Sequence, residues 1–167
     1  MSSEKHAGRV EHEFPPVFDE RSRVLILGTI PSPKSRERGF YYMHPQNRFW
    51  RMLCGVLGEE LPADIPGRRE MCLRHGVALW DVLAECSIDG AADSSIKNAV
   101  PNRLELIFQA ADIRAVFTTG KKAQALYERF FPDGMRAVCL PSTSPANRTI
   151  SEAEMLEKYR VIAEYCI

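Results

Sequence analysis

The chain has 167 residues, 45% of them hydrophobic, which is enough for one domain with a substantial core. Lys+Arg and Asp+Glu are matched at 22 each. No overall positive field therefore draws in a polyanion, and any phosphate-binding surface has to be local. Five cysteines without a C-x-x-C pair argue against a zinc site or an iron–sulfur cluster, and no apolar run reaches the roughly 18 residues of a membrane span.

An odd cysteine count and the lack of a signal-peptide pattern lead us to expect a reducing, cytoplasmic setting. Residues 1 to 20 are polar and contain His6, His12, Pro15 and Pro16. They read as a flexible N-terminal arm, with 21–167 as a single domain. The first strand, Arg23 to Leu27, is apolar throughout its centre rather than alternating, the pattern of a strand covered on both faces. From Gly28 to Trp50 runs a long loop rich in Ser, Lys, Arg and adjacent rings; loops of more than about 12 residues in a compact domain are usually functional.

Asn47 stands at the natural N-cap of a helix carrying Phe49, Trp50, Leu53, Val56 and Leu57 and ended by Gly58. Leu61-Pro62 and Ile65-Pro66 read as a linker before a short helix from Arg68 to Arg74. A second strand, Val77 to Trp80, runs on through Asp81-Val82-Leu83. A small, polar segment follows from Gly90, and Asn102 looks like the cap of a helix from Arg103 to Gln109. The third strand, Ile113 to Phe117, ends in Thr118-Thr119-Gly120, and a helix runs from Lys121 to Phe131. The fourth strand, Arg136 to Leu140, places Cys139 in the core. Ser151 caps the last helix, with Glu154 as box partner and Met155, Tyr159, Ile162 and Ala163 inside. Strands alternating with helices predict a three-layer α/β/α sandwich around a central four-stranded, mostly parallel sheet with right-handed crossovers.

Every strand ends in an unusual cluster: Gly28-Thr29-Ile30-Pro31-Ser32, Trp80-Asp81, Thr118-Thr119-Gly120-Lys121 and Pro141-Ser142-Thr143-Ser144. In a parallel sheet all four ends share one edge, where open α/β folds bind ligands. Hydroxyls, backbone N–H groups and the cations Arg36, Arg38, Arg48, Lys122 and Arg148 then gather on one rim, suited to phosphate. Phe40-Tyr41-Tyr42 adds rings that stack on bases, although some of them could instead cap the core.

Together, Gly28-Thr29-Ile30-Pro31-Ser32, the run Phe40 to Trp50 (F-Y-Y-M-H-P-Q-N-R-F-W), Ala78 to Val82 and Leu140 to Asn147 resemble the uracil-DNA glycosylase superfamily. The details fit its hypoxanthine-DNA (deoxyinosine) glycosylase branch best, over Arg23 to the C-terminal helix. Two positions depart from the wider superfamily. Ile30 stands where a water-positioning Asp or Asn is usual, and Leu140 stands where other branches carry a base-stabilising His. The resemblance implies a monofunctional enzyme of base excision repair that removes deaminated bases, most of all hypoxanthine, from DNA. It implies a monomer without metal or other cofactor. The alternatives are a uracil- or mismatch-specific glycosylase, or a non-catalytic nucleic-acid-binding module.

On this reading the target nucleotide is flipped into the rim pocket. Ser142, Thr143 and Ser144 grip flanking phosphates, with Ser32, Lys121 and Arg148 as further DNA contacts. Tyr41 or Phe40 stacks on the base, and groups near Thr29 and Ile30 line its edge. An ionised Asp81 can accept from a ring N–H, position water as Asp93 also could, or be a buried structural carboxylate. The branch implies that Asn47 orients the attacking water, and its amide equally suits a helix cap. His44 suits an acid, and as readily a structural turn.

Overall fold

The computed structural model describes residues 8–89 and 92–167, with side chains for 8–88 and 95–167. Four strands, β2 (Val24–Gly28), β3 (Val77–Asp81), β6 (Ala115–Thr119) and β7 (Ala137–Leu140), form one sheet in the order β3-β2-β6-β7, every pair parallel. β2 and β3 are buried at all five positions, as unbroken apolar runs require. The register sets Gly28 beside Asp81, and Thr119 beside Leu140. The four polar strand ends therefore do lie along one edge, and the mixed α/β class with its parallel sheet is as expected.

A second sheet was not expected. β1 (Arg9–Glu11), β4 (Leu83–Asp89) and β5 (Ala92–Pro101) pair antiparallel in the order β1-β4-β5. Residues 1–7 of the expected arm lie outside the described residues, but the rest of it is built into the fold. Val10 and Val17 are buried, and Val17 bridges to Leu79. The polar look of the segment misleads because Arg9 and Glu11 flank Val10, an alternation with one face in and one face out.

The apolar stretch read as a single strand from Val77 to Leu83 is two strands that separate at Val82. The corner is held by Asn102, whose Nδ2 donates to the carbonyls of Asp81 (2.9 Å) and Leu83 (3.0 Å). Asn102 is thus not a helix cap: α4 (Glu105–Ala110) begins after Leu104 and has no side-chain cap.

Six residues of the long loop are helical, α1 (Pro33–Arg38), with Ser32 as N-cap accepting from Ser35 N–H and Gly39 closing it in the left-handed region. α2 (Phe49–Leu57) buries Phe49, Trp50, Met52, Leu53 and Cys54. α3 (Ile65–Arg74) starts earlier than expected, because Asp64 caps Gly67 N–H and Pro66 suits the first turn. α5 (Lys121–Phe130) and α6 (Glu152–Tyr159) follow their expected courses. After α6 the chain tightens into a 3₁₀ turn, Arg160–Glu164, which leaves Ala163 exposed rather than inward. Cys139 is also exposed, because β7 is an edge strand left uncovered at Val138 and Cys139. No helix among the described residues is long and apolar enough to cross a membrane.

Candidate active site

Above the shared strand edge lies a cleft of about 760 Å³. Thr29, Ile30, Ser32, Tyr41, Asn47, Asp81, Ser142, Thr143 and Ser144 all line it. These residues come from five separate stretches of chain, brought together by the parallel register. Phe40, Lys121 and Arg148 are not in its wall. Phe40 is fully buried, stacked on Trp50 with ring centres 5.7 Å apart, so it is a core residue and not a base platform. Lys121 is exposed beside a neighbouring hollow that shares Ser142 and Asn147 with the cleft, and Arg148 is exposed on the loop beyond. The side chain of Asp93 lies outside the described residues.

The serine-rich loop is shaped from within. Arg48 donates through its guanidinium to the carbonyls of Asn147 and Ile150, both at 2.9 Å, and its backbone N–H bonds the carbonyl of Thr143. Arg48 is therefore a clamp on the loop rather than a free cation. Asn147 Nδ2 donates to the carbonyl of Ser142 at 2.9 Å, and Tyr159 Oη to that of Pro141 at 2.6 Å. Ser142 Oγ and Ser144 Oγ each accept a loop N–H, from Ser144 and Ala146. Their own O–H protons remain to donate to an anion.

Asn47 closes the opposite wall. Its Oδ1 accepts from Phe49 N–H at 2.9 Å in an Asx-type turn, one residue before the N-cap position, which Arg48 occupies. One lone pair of the amide oxygen is thus engaged in the turn, and Nδ2 is left to donate into the cleft. His44 Nδ1 accepts from Gln46 N–H at 3.1 Å, the structural turn of the two readings.

Tyr42, on the cleft wall, has φ of 56°, rare for a bulky residue and typical of a functional or strained position. Its ring stacks on Phe49 at 3.8 Å and its hydroxyl bonds Thr119 Oγ1 at 3.2 Å. Burial, then the charge of Asp81, push its phenol well above the ordinary value. Tyr41 is almost wholly buried and donates to the carbonyl of Pro15. Of the three rings, Tyr42 is the one held in a strained pose at the wall.

Asp81 sits at the floor with its side chain only 5% exposed. Oδ1 lies against Gly28, where a built Cβ would collide with it. Oδ2 is bonded at 2.8 Å to His12 Nε2, and the His12 side chain is 2% exposed. This partner was missed in the sequence, where His12 belonged to the supposed arm. Ile88, from β4, also lines the cleft and was missed, because nothing in its polar neighbourhood marks a strand. Among the described residues no group of three or more His, Cys, Asp or Glu could hold a metal ion.

A parallel sheet whose strand ends carry a Gly-Thr turn, a carboxylate and a serine loop around one cleft defines an α/β protein with its ligand site at the strand ends. A sequence model of the Uracil DNA glycosylase superfamily matches residues 15–164, and the chain belongs to that superfamily. Two similar proteins, both named hypoxanthine DNA glycosylase, come from Methanosarcina barkeri and Methanosarcina acetivorans. The first is 35% identical over 137 residues, covering 81% of this chain and 87% of that protein. The second is 33% identical over 145 residues, covering 86% and 92%. The solution NMR structure of a Methanosarcina acetivorans chain assigned to the uracil DNA glycosylases superposes with a TM-score of 0.77. It is 32% identical, covering 91% of this chain and 96% of that one. The family match begins at Pro15, so β1 and His12 lie outside it.

Proposed function

We propose that the protein is a monofunctional DNA glycosylase that hydrolyses the N-glycosidic bond of deaminated bases in DNA, hypoxanthine foremost. The observation that carries this reading is that Asn47, Asp81, Tyr42 and the Ser142–Ser144 loop line the same cleft. The 33–35% identical relatives named hypoxanthine DNA glycosylase support the substrate.

The flipped nucleotide enters base first. Tyr42, held from behind by Phe49, offers its ring as the stacking wall. Ser142 and Ser144 donate their free O–H protons to a flanking phosphate, and Ser32, Lys121 and Arg148 extend that contact along the strand. Asp81 Oδ1 accepts from the ring N–H of the base, with Thr29 and Ile30 along its edge.

Asn47 supplies a hydrogen-bond donor, not a base, because an amide is not basic at neutral pH; its oxygen also accepts from Phe49 N–H. Nδ2 holds a water through one lone pair and leaves the other to attack C1′. That suffices when the bond to the base breaks first through an oxocarbenium-like state, since little proton removal is needed early; the proton that the water sheds after attack goes to the departing base anion, which leaves neutral. Water rather than a side-chain amine is the nucleophile, so the product is an abasic site with the strand intact. Ile30, which cannot position water, and Leu140, which is buried outside the cleft, supply none of the groups that many uracil-removing relatives use.

The test is incubation with duplexes containing inosine, uracil or xanthine, then alkali to break abasic sites. Inosine strands are expected to be cut most. Asn47→Ala should lower inosine excision by about 100-fold, well beyond the roughly 1 kcal/mol that loss of a capping bond removes from stability. Excision at the parent rate would leave Asn47 as a turn residue only.

A further inference from the structure

His12 and Asp81 form a buried polar pair at the floor of the cleft, and only one of its members belongs to the stretch that matches the family. His12 is fixed by β1. Its N–H bonds the carbonyl of Ala84 at 2.7 Å, and its ring lies between Phe14 and Tyr41, at 4.6 and 5.7 Å between centres. Its Nε2 bonds Asp81 Oδ2, while its Nδ1 is buried with no hydrogen-bond partner among the described residues. A buried nitrogen left without a partner costs stability, and a phenylalanine would fill the same space without it. Among the described residues, the polar bond this ring makes is the one between Nε2 and Asp81.

We infer that His12 is a positioning residue that fixes Asp81 Oδ1 as an acceptor facing the base, and so sets selection for a ring N–H. The inference rests on the glycosylase reading above. It holds for either position of the proton along the Nε2–Oδ2 contact. With His12 neutral or doubly protonated, Nε2 donates to Oδ2, and Oδ1 is a carboxylate acceptor. With the proton on Asp81, Oδ2–H donates to Nε2, and Oδ1 is a carbonyl acceptor. While the proton stays on the Nε2–Oδ2 contact, Oδ1 is an acceptor. Without His12, a protonated Asp81 could turn and offer an O–H instead.

The polarity of that one atom separates deaminated adenine and cytosine from their parent bases. Deamination converts the ring-nitrogen lone pair of adenine N1 or cytosine N3 into an N–H beside a new carbonyl. An acceptor at Oδ1 welcomes the N–H and repels the lone pair. The bare Cα of Gly28 leaves the space that Oδ1 occupies, and a side chain there would displace it.

The experiment compares single-turnover excision from duplexes holding hypoxanthine or 1-deazahypoxanthine, the same shape with C–H in place of the ring N–H. The wild-type protein should favour hypoxanthine by about 10- to 100-fold, the range of one hydrogen bond to a charged group. His12→Phe keeps an aromatic ring and loses the donor, and should collapse that ratio to within about threefold of one. His12→Gln retains an N–H donor and should restore most of it. Equal losses on both substrates in His12→Phe, or a wild-type ratio near one, overturn the inference. Where thermal melting shows that the phenylalanine variant does not fold, His12→Asn, too short to reach Oδ2, takes its place with the same expectation. A wild-type protein that releases no base from hypoxanthine, uracil or xanthine duplexes overturns the glycosylase reading, and this inference with it.

Discussion

Gly28 shows how tightly single positions are drawn at the cleft floor. It pairs with Asp81 in register, and its Cα is packed beneath that carboxylate, with the Tyr42 hydroxyl close by. Its backbone is ordinary extended strand, so a larger residue meets no torsional objection, only a steric one. Gly28→Ala is expected to push Asp81 out of line. Overpacking of this kind costs about 1–3 kcal/mol, and excision should fall at least about tenfold if the displaced atom is, as proposed, the acceptor for the base. Thermal melting and single-turnover rates measured together check both halves; a melting loss with unchanged rates would separate Gly28 from the site. The same economy holds at Asn47, where one amide ties a turn with its oxygen and leaves its nitrogen to the cleft. Sequence alone could name both roles but could not show that one side chain divides them between its two ends.

The parallel strands are legible in the sequence because β2, β3 and the buried centre of β6 are apolar runs that stop at polar clusters, and parallel pairing then dictates a common edge. The antiparallel sheet is not legible. β1 has three residues, too few for alternation to stand out, and β5 carries Ser95, Lys97 and Asn98, composed like a loop. Their pairing is decided by what they meet rather than by what they contain. β7 misled in the other direction: Ala137 to Leu140 reads as core, yet an edge strand leaves one side uncovered. One chemical consequence is selective modification. Cys139 is exposed, whereas Cys54, Cys72 and Cys86 are buried. Native alkylation with iodoacetamide, read by peptide mass spectrometry, is expected to label Cys139 first and the three buried thiols only on unfolding. Early labelling of Cys72 would contradict the packing of α3.

Over the whole molecule, acidic and basic residues balance, yet buried phenols and thiols do not titrate in the ordinary way. Burial raises Tyr41, Tyr42 and Tyr159 above their ordinary value of 10.0. It pushes Cys72 up to about 12 and Cys166 to about 11, from 9.0. In the unfolded chain these groups lose protons from about pH 9 upward, while the folded chain still holds them. The unfolded state then binds fewer protons, so stability falls as pH rises; below that window both states are protonated and the contribution is fully present. Urea midpoints from pH 7 to 11 should be level to about pH 9 and then decline. A rising midpoint above pH 9 would contradict the burial of these groups.

The histidine at the cleft floor hangs from a ribbon with three paired positions, against five between β2 and β3. Short pairings fray long before a central sheet opens. The protein's discernment is thus fastened less securely than its architecture: gentle warming should make it careless about which bases it removes while it is still, by every measure of shape, intact.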